Sequence, residues 1–416
     1  MLRKTLTAAV VAGSVLMLTA CSSGGSGSGG GGGGKTTISF AFWGSNDESA
    51  TLKAMVAAFQ QAHPDITVQE NWIQGNYEQK LQTAIAGGAA PTVAQISDTS
   101  LPSFARAFRP VDVNGGAYYS PAVAKGGAYD GTNYAVPFVA KSKVMAIDKS
   151  MFTAAGVPLP SGTTPMSPQD FVAAAKKLTK GPKVFGSAPL WFDGWLIAEG
   201  GTYFTPDGTK CAMGDPTGVL TAQVVGAAAQ PGGFAPTQGQ AQGQDMVQWL
   251  ATGKIAMMPD FGPWNIAKIA ALDPAKFDIV PMPGKGEPME IDGLGVSKTA
   301  SDAQVAAAKT FTTFMSSDPA AQNQLASAKS ALGVPVIQGS VDAFKAAAPK
   351  VNLQAFVDAV QNAVPTPHVK NYVAISSQLS NLWDTRTAIG SGHEDPAVVM
   401  PQIQATCQKM LDDAGK

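Results

Sequence analysis

Apolar positions in the first part of the folded chain follow two different periods. Ile38, Phe40 and Phe42 are separated by single small or polar residues, which is the period of a strand. Apolar residues then recur three and four positions apart, which is the period of a helix, until His63-Pro64 ends the run. The alternation predicts strands at 38–43, 66–70 and 93–96, and helices at 49–62 and 77–86. Strands that alternate with helices indicate a parallel sheet with helices on its faces.

The same alternation returns further along the chain. It predicts helices at 171–178, 305–315 and 399–411, and a strand at 255–258. In the last of these helices Val399, Ile403 and Cys407 lie on one apolar stripe, so Cys407 is expected to face inward. The roughly 380 residues after the N-terminal segments are too many for one core, which indicates two lobes.

The N-terminus has the layout of an export signal. Arg3 and Lys4 precede an uncharged apolar run over 6–18, which is shorter than the roughly 20 residues that a membrane-spanning helix needs. The sequence Leu18-Thr-Ala-Cys21 resembles the bacterial lipobox, in which the cysteine receives lipid, including palmitate, and becomes the mature N-terminus.

These features predict a signal peptide over 1–20 and a lipidated Cys21 with a Gly/Ser tether over 21–36. Only Ser and Gly occupy 22–34, so the tether cannot bury apolar surface and behaves as a flexible coil. An unmodified Cys21 after ordinary signal cleavage is the alternative. The expected location is the extracellular face of the cell membrane, on the periplasmic side if an outer membrane is present, with a lipid anchor.

Composition excludes several classes of protein. With 14% charged and 45% hydrophobic residues, a formal net charge of −1 and no basic cluster, the chain is globular and nucleic acid is not an expected partner. The three histidines are far apart, the sequence motifs of serine hydrolases are missing, and no metal or cofactor is indicated. Besides Cys21, only Cys211 and Cys407 remain, and in an oxidising compartment they form either one disulfide or two separate buried thiols.

A series of short segments carries a family resemblance. The most specific segment is Gly253-Lys-Ile-Ala-Met-Met-Pro-Asp-Phe-Gly-Pro-Trp264. The others are Ile38–Trp43, Ala86–Asp98, Tyr134–Phe138, Pro281–Gly284, Gly293–Ser297 and Ala331–Pro335. In this order they resemble the family 1 extracellular solute-binding proteins of ABC sugar importers, over nearly all of the chain after the tether. The chain departs from the family pattern at Thr92, where an acid is usual.

The resemblance implies an α/β, two-lobed periplasmic-binding-protein-like fold of type II, in which each lobe is a mainly parallel sheet flanked by helices. Three hinge crossings between the lobes are expected, near Phe138, Asp292 and Pro335. The expected first lobe is 37–140 with 293–336, and the expected second lobe is 141–292 with 337–416. On this map Cys211 and Cys407 fall in one lobe, which favours their pairing.

Four tryptophans are candidates for stacking on the C–H face of a sugar ring. Trp43 ends the first strand, at the edge where ligands of open α/β sheets bind. The resemblance implies a stacking role for Trp264, which follows a Gly-Pro pair at a strand-to-helix corner. Trp191 and Trp195 are four residues apart, so in a helix they would share one face, where one could bind and the other pack. Each tryptophan could instead be a core residue.

Three acids are candidate partners for ligand hydroxyls. Asp47 follows the first strand and Asp98 follows the third, which places both at the carboxyl edge of the predicted sheet. Either could instead cap a helix, since Asp is a favoured N-cap residue. Asp292, together with Glu290, lies beside the expected second crossing and faces either the cleft or solvent.

The combined features predict the extracellular substrate-binding component of an ABC importer. It would bind a carbohydrate, in particular an oligosaccharide, between the lobes and deliver it to the permease subunits, as a monomer without enzymatic activity. The alternatives are a binding protein for a non-sugar polyol or a glycerol phosphodiester, and a tethered carbohydrate-active enzyme. The enzyme alternative has no positive motif in the sequence.

Overall fold

The computed structural model describes residues 35–285, 289–327, 330, 332–363, 367, 369–386 and 394–415. The predicted signal peptide, Cys21 and the tether as far as residue 34 lie outside the described residues. Within the described part of the chain, no helix combines the length and the apolar character needed to cross a membrane. The same part contains no group of three or more His, Cys, Asp or Glu side chains placed to hold a metal ion.

Strands and helices alternate along most of the described chain. The strands are β1 (Thr36–Phe42), β2 (Ile66–Trp72), β3 (Val93–Ser97), β4 (Ala128–Tyr129), β5 (Thr132–Asn133), β6 (Ala135–Ser142), β7 (Val144–Asp148), β8 (Phe185–Ser187), β9 (Ile255–Phe261), β10 (Phe277–Val280) and β11 (Met289–Val296). The helices are α1 (Asn46–Ala62), α2 (Tyr77–Ala86), α3 (Leu101–Phe104), α4 (Pro121–Lys125), α5 (Lys149–Ala155), α6 (Pro168–Leu178), α7 (Phe192–Ala198), α8 (Pro216–Ala228), α9 (Gln238–Ala241), α10 (Met246–Ala251), α11 (Ile266–Ala270), α12 (Asp302–Ser317), α13 (Pro319–Gln322), α14 (Gln338–Ala346), α15 (Gln354–Gln361), α16 (Tyr372–Arg386) and α17 (Pro396–Gly415). Short 3-10 helices cover Ala105–Ala107, Gly115–Ala117, Gly181–Lys183 and Pro263–Asn265.

The first sheet has the strand order β2-β1-β3-β11-β6. β1 is parallel to β2 and β3, because α1 and α2 return the chain to the same edge of the sheet each time. β11 enters between β3 and β6 and is antiparallel to both, so it is the one strand of this sheet that runs in the opposite direction. The main core of this sheet packs Phe40 of β1 and Phe59 of α1 against Phe311 of α12.

The second sheet has the strand order β10-β7-β9-β8. β8 and β9 are parallel, whereas β7 is antiparallel to both β9 and β10. Each sheet therefore has one strand that runs opposite to the others, β11 in the first sheet and β7 in the second. Each of these strands is the first that the chain forms after it leaves the other sheet. The mainly parallel pattern that the sequence predicts is confirmed for the remaining strands.

The chain passes directly from the first sheet to the second at Lys143, which separates β6 from β7. It returns to the first sheet between β10 and β11, so Asp292 lies within β11 and pairs with Ser97 and Val139 on its two sides. A further strand-like contact joins Val334 to Ala140 before the chain continues into α14.

The structure confirms the elements predicted from periodicity and shifts some of their ends. The first helix begins at Asn46 rather than near residue 49, because Ser45 is its N-cap and forms a reciprocal capping box with Glu48. Asp47 is therefore not a cap and lies exposed in the first turn. The strand that begins at Ile255 continues to Phe261, directly before the corner that carries Trp264.

Cys211 and Cys407 form a disulfide in the structure, with their Cα atoms 6.1 Å apart. Cys407 lies on the buried face of α17, as predicted. The bond joins α17 to the segment before α8, and both cysteines belong to the hydrophobic core that contains Trp195.

Candidate functional site

A cavity of about 600 Å³ is lined by residues that follow strands of both sheets. From the first sheet come Thr99, directly after β3, and Lys141 at the end of β6. From the second half come Trp191, before α7, and Trp264, after β9. Polar ends of strands thus meet two aromatic side chains in one concave space, which we call the main cavity.

Trp264 is held at the cavity wall by its local sequence. It lies in a 3-10 turn that begins with Pro263, whose fixed φ suits the first helical position. A Cβ atom at Gly262 would collide with the indole of Trp264, so only glycine allows the ring to fold back over the turn. Trp264 is 40% exposed, which is unusual for tryptophan and leaves its ring available to a ligand.

Trp191 and Trp195 have different environments. Trp191 is 54% exposed and lines the main cavity, whereas Trp195 is 1% exposed and packs against Phe171 with ring centroids 4.9 Å apart. They do not share a helix face because α7 begins at Phe192, and Trp191 has extended backbone as its N-cap. Of the two, Trp195 is therefore the residue that packs in the core, and Trp191 is the one whose ring is accessible from the main cavity.

Lys141 is held at the floor of the main cavity by two carboxyl groups. Its Nζ lies 2.8 Å from Asp292 Oδ2 and 3.3 Å from Glu290 Oε1. The same oxygen of Asp292 accepts a hydrogen bond of 2.8 Å from Gln95 Nε2 on β3. Asp292 is fully buried beneath the cavity, so the expectation that it binds ligand directly is wrong, because its carboxyl group pairs with Lys141.

Lys143 is the centre of a second cluster of charges. Its Nζ lies 3.6 Å from Asp260 Oδ1, and Asp193 is close enough to act on both groups. The side chain of Asp260 is only 6% exposed, and its backbone lies in the left-handed region at φ +55°. A Cβ atom at Gly194 would collide with its carboxyl group. Lys143 and Asp193 line the main cavity, and Asp260 lies behind them.

The two clusters contain more carboxyl groups than ammonium groups. In one cluster Lys141 has two acidic neighbours, Asp292 and Glu290. In the other, Lys143 has Asp260 and Asp193. Burial lowers the pKa of both lysines, but their carboxylate neighbours outweigh this and raise each pKa above its usual value. The lysines therefore stay charged and already have partners within the protein.

Burial has the opposite effect on the two enclosed acids. It raises the pKa of Asp260 to about 6, with Lys143 opposing this shift and the charge of Asp193 adding to it. Burial also raises the pKa of Asp292, with Lys141 acting against the shift. Neither acid lines the main cavity, and each pairs with a lysine that does.

Helix α16 forms another wall of the main cavity. Val373, Ser376, Ser377 and Ser380 recur at helical spacing and all line this space. The opposite face of α16 is buried through Ile375, Leu379 and Trp383 in the hydrophobic core that contains Trp195. The helix thus presents hydroxyl groups towards Trp191 and Trp264 across the cavity.

Trp43 and Asp47 are not among the residues that line the main cavity. The ring of Trp43 is flanked by Tyr77, at 4.8 Å between ring centroids, and by Lys141 Nζ at 5.3 Å. Trp43 instead lines a separate space of about 440 Å³ beside Asn76 and Val373. Asp47 contributes to neither space.

Asp98 lies in a second cavity of about 1090 Å³, which adjoins the main one. It is 4% exposed, and one carboxylate oxygen accepts a hydrogen bond of 2.9 Å from the backbone N–H of Thr99. Burial raises the pKa of Asp98 well above its usual range, and the negative charge of Glu290 adds to this effect. The structure therefore brings Trp191 and Trp264 together and places Asp98 in the adjoining space.

Sequence reasoning missed most of the polar wall. Lys141, Lys143 and Asp193 were not among its candidates, although Lys143 is the residue at which the chain passes between the sheets and Lys141 lies near the end of β6. The serines of α16 carried a detectable signal, since Ser376 and Ser380 lie four residues apart in a helix whose other face is apolar.

A two-lobed α/β fold with a concave space lined by exposed tryptophans and polar groups defines a protein that captures a small solute. The chain belongs to the family of bacterial extracellular solute-binding proteins, whose family model matches residues 54–354.

Two curated relatives are similar to part of the chain. One is an uncharacterized lipoprotein in the oleD 5' region of Streptomyces antibioticus, which is 32% identical over 151 residues, or 34% of this chain and 33% of that protein. The other is the diacetylchitobiose-binding protein DasA of Streptomyces coelicolor, 27% identical over 140 residues, or 32% of this chain and 33% of that protein. The chain thus spans about a third of the length of the curated relatives that it matches.

A solved structure supports the fold over almost the whole chain. An ABC substrate-binding protein from Listeria monocytogenes, in complex with cycloalternan, superposes with a TM-score of 0.78 at 24% identity. The match covers 91% of this chain and 99% of that chain. It shows that the two proteins share the two-lobed solute-binding fold.

Proposed function

We propose that the protein is the extracellular substrate-binding component of an ABC importer and that it captures a neutral carbohydrate in the main cavity. The observation that carries the proposal is the exposure of Trp191 and Trp264, at 54% and 40%, on the wall of one concave space. Flat aromatic faces suit the C–H face of a sugar ring, and the hydroxyl and charged groups around them suit its hydroxyls. The diacetylchitobiose in the name of one relative and the cycloalternan bound in the similar solved structure support this assignment.

The balance of charge in the main cavity favours a neutral ligand over a glycerol phosphodiester. Lys141 and Lys143 are already paired with protein carboxyl groups, so neither is free to neutralise a phosphate. A phosphate would also lie near Asp193 and Glu290, which line the same space. Like charges at this distance disfavour binding.

The protein would capture its ligand by closure of the two lobes, because the residues that line the main cavity belong to both lobes. In this proposal the first lobe is 37–140 with 293–336, extended so that the whole of β6 and β11 stays with the first sheet, and the second lobe is the rest of 141–292 with 337–416. Thr99 belongs to the first and both tryptophans belong to the second, so a ligand touches both lobes only when they are close together. Contacts that exist only in the closed state shift the population towards it, and the permease subunits would recognise that state.

The membrane attachment completes the proposal. Cleavage after residue 20 and lipidation of Cys21 would hold the protein on the extracellular face of the membrane through the tether. A monomer tethered near its permease meets it at a raised effective concentration. We propose no enzymatic step, in keeping with a family of binding proteins.

The test is a thermal-shift screen of the purified protein against mono- and oligosaccharides, polyols and glycerol phosphodiesters, with calorimetry on each hit. A ligand that binds only the folded state stabilises it by about 2.7 kcal/mol at 100 times its Kd. We expect neutral sugars to raise the midpoint and to be recovered chemically unchanged. Binding of phosphodiesters alone, or conversion of a sugar to product, would contradict the proposal.

A further inference from the structure

Helix α16 packs in one hydrophobic core, but the residue directly before it bonds to the other half of the molecule. The buried face of α16 lies in the core that contains Trp195. The backbone N–H of Asn371 donates a hydrogen bond of 3.3 Å to Ser103 Oγ of α3, the helix that follows β3 of the first sheet. In the proposed division of the chain, Ser103 belongs to the first lobe and Asn371 to the second, so this bond joins the lobes.

Val373, in the first turn of α16, borders the gap between the same two elements. It is 39% exposed and lines the main cavity, the space beside Trp43, and a groove of about 730 Å³ that we call the rim groove. Residues of α2 and α3, among them Ile85 and Phe104, line the rim groove from the first lobe, and the start of α16 lines it from the second. The three spaces therefore meet at the first turn of α16.

The backbone of Asn371 has an uncommon conformation. Its φ of +60° lies in the left-handed region, which Asn tolerates better than most residues. Asn371 O accepts a hydrogen bond of 3.0 Å from the N–H of Ile375, so the residue starts the helix while its own N–H is directed to Ser103. Residues in this region persist where several contacts fix them, and they are frequent at ligand clamps and switch regions. The conformation of Asn371 thus supports a role in the contact between the lobes.

A ligand in the main cavity takes no part in this bond, because neither Ser103 nor Asn371 lines that cavity. Opening of the cleft between the lobes would break the bond, so it favours the closed state by the same amount for every ligand. When only one state binds, the apparent affinity is the intrinsic affinity multiplied by the populated fraction of that state. A contact of this kind changes the affinity for all ligands by one factor and leaves the selectivity among them unchanged.

We propose that the hydrogen bond between Asn371 and Ser103 is a latch between the lobes, which sets the affinity for every ligand of the main cavity by one common factor. Ser103 and Asn371 are positioning residues, since they act on the closed state and not on the ligand. The inference rests on the proposed function, because it uses the same two lobes and the same closure.

The experiment is calorimetry on the full chain with two sugars that bind with different affinities. Ser103→Ala removes the acceptor and should weaken the binding of both sugars by the same factor, about two- to fivefold, as expected for one hydrogen bond at the surface. Ser103→Thr keeps a hydroxyl group and is the matched control, for which we expect wild-type affinity. Because Ser103→Ala loses a contact of the closed state, stopped-flow tryptophan fluorescence should show faster dissociation at an unchanged association rate.

A second pair of variants changes the other partner of the bond. Asn371→Gly allows the left-handed backbone and should bind as the wild type does, whereas the β-branched side chain in Asn371→Val disfavours this backbone and should weaken both sugars by one factor. Equal affinities of these two variants would overturn the inference.

Two further results would overturn the inference and leave the proposed function standing. One is unchanged affinity in Ser103→Ala, and the other is a loss that differs between the two sugars, which would make Ser103 a ligand contact. Failure of the wild type to bind any sugar would overturn the proposed function, and the inference with it.

Discussion

Replacement of Asp260 by Asn tests the electrostatics behind the main cavity. Asn has nearly the volume of Asp and tolerates left-handed backbone, which Asp260 adopts at φ +55°. The substitution therefore removes the ionisable group without disturbing the corner that leads to Trp264. Lys143, which stays charged, keeps Asp193 as a neighbour.

The size of the effect follows from the shifted pKa. Burial raises the pKa of Asp260 from its usual value of 3.8 to about 6, and each pKa unit is about 1.4 kcal/mol, so roughly 3 kcal/mol is involved. Because the folded-state pKa is the higher one, the folded protein holds the proton more tightly than the unfolded chain. The resulting contribution to the free energy of unfolding is fully present below about pH 4 and is lost as the pH rises through about 6. Asp260→Asn has no carboxyl group at this position, so its stability should not show this loss.

The assay is urea unfolding followed by tryptophan fluorescence, on the wild type and Asp260→Asn at about pH 4 and about pH 7. The free energy of unfolding of the variant, relative to the wild type, should increase by roughly 3 kcal/mol between the two pH values. Asp193→Asn, which removes a charge that raises the pKa of Asp260, should move the transition to lower pH. A difference between wild type and Asp260→Asn that is the same at both pH values would refute the reasoning.

The other predictions concern single contacts in the site. Trp264→Ala should weaken sugar binding by about 2–4 kcal/mol in calorimetry with an unchanged urea midpoint. Trp195→Ala should lower the free energy of unfolding by about 3–5 kcal/mol. The reverse pattern would mean that Trp264 is the core residue and Trp195 the ligand contact. Lys141→Met should destabilise the fold by about 3–5 kcal/mol in urea unfolding, because it leaves Asp292 buried without its cation. Adding Asp292→Asn should recover part of this loss of stability. No recovery would argue against the ion pair between Lys141 and Asp292. Gly262→Ala should weaken sugar binding by displacing the indole of Trp264, and unchanged affinity would show that the ring has another way to move.

The sequence predicted what depends on neighbouring residues. Strand and helix periods, the inward face of Cys407 and the position of Trp264 at a Gly-Pro corner are all local, and the structure agrees with each. The split between Trp191 and Trp195 was out of reach, because it depends on a helix that begins one residue after the first tryptophan. Periodicity locates a helix better than it locates its first residue.

The polar part of the site could not be predicted for a different reason. Lys141 and Glu290 are separated by 149 residues, and Gln95 and Asp292 by 197, so their contacts exist only once β11 pairs with β3 and β6. Read singly, an acid beside an expected crossing between lobes is predicted to face solvent. Only the strand order shows that Asp292 is an enclosed partner of Lys141 and that Glu290 faces the ligand space.

The insertion of β11 between β3 and β6 has a consequence for how the newly made chain folds. Roughly 150 residues separate the end of β6 from the start of β11, and at about 5–20 residues per second they take roughly 8–30 s to synthesise. Throughout that interval β3 and β6 each present an unpaired edge, which is a site for aggregation. Because loops of this length close slowly, the first sheet is completed late, and a nascent chain kept extended until β11 emerges avoids that hazard.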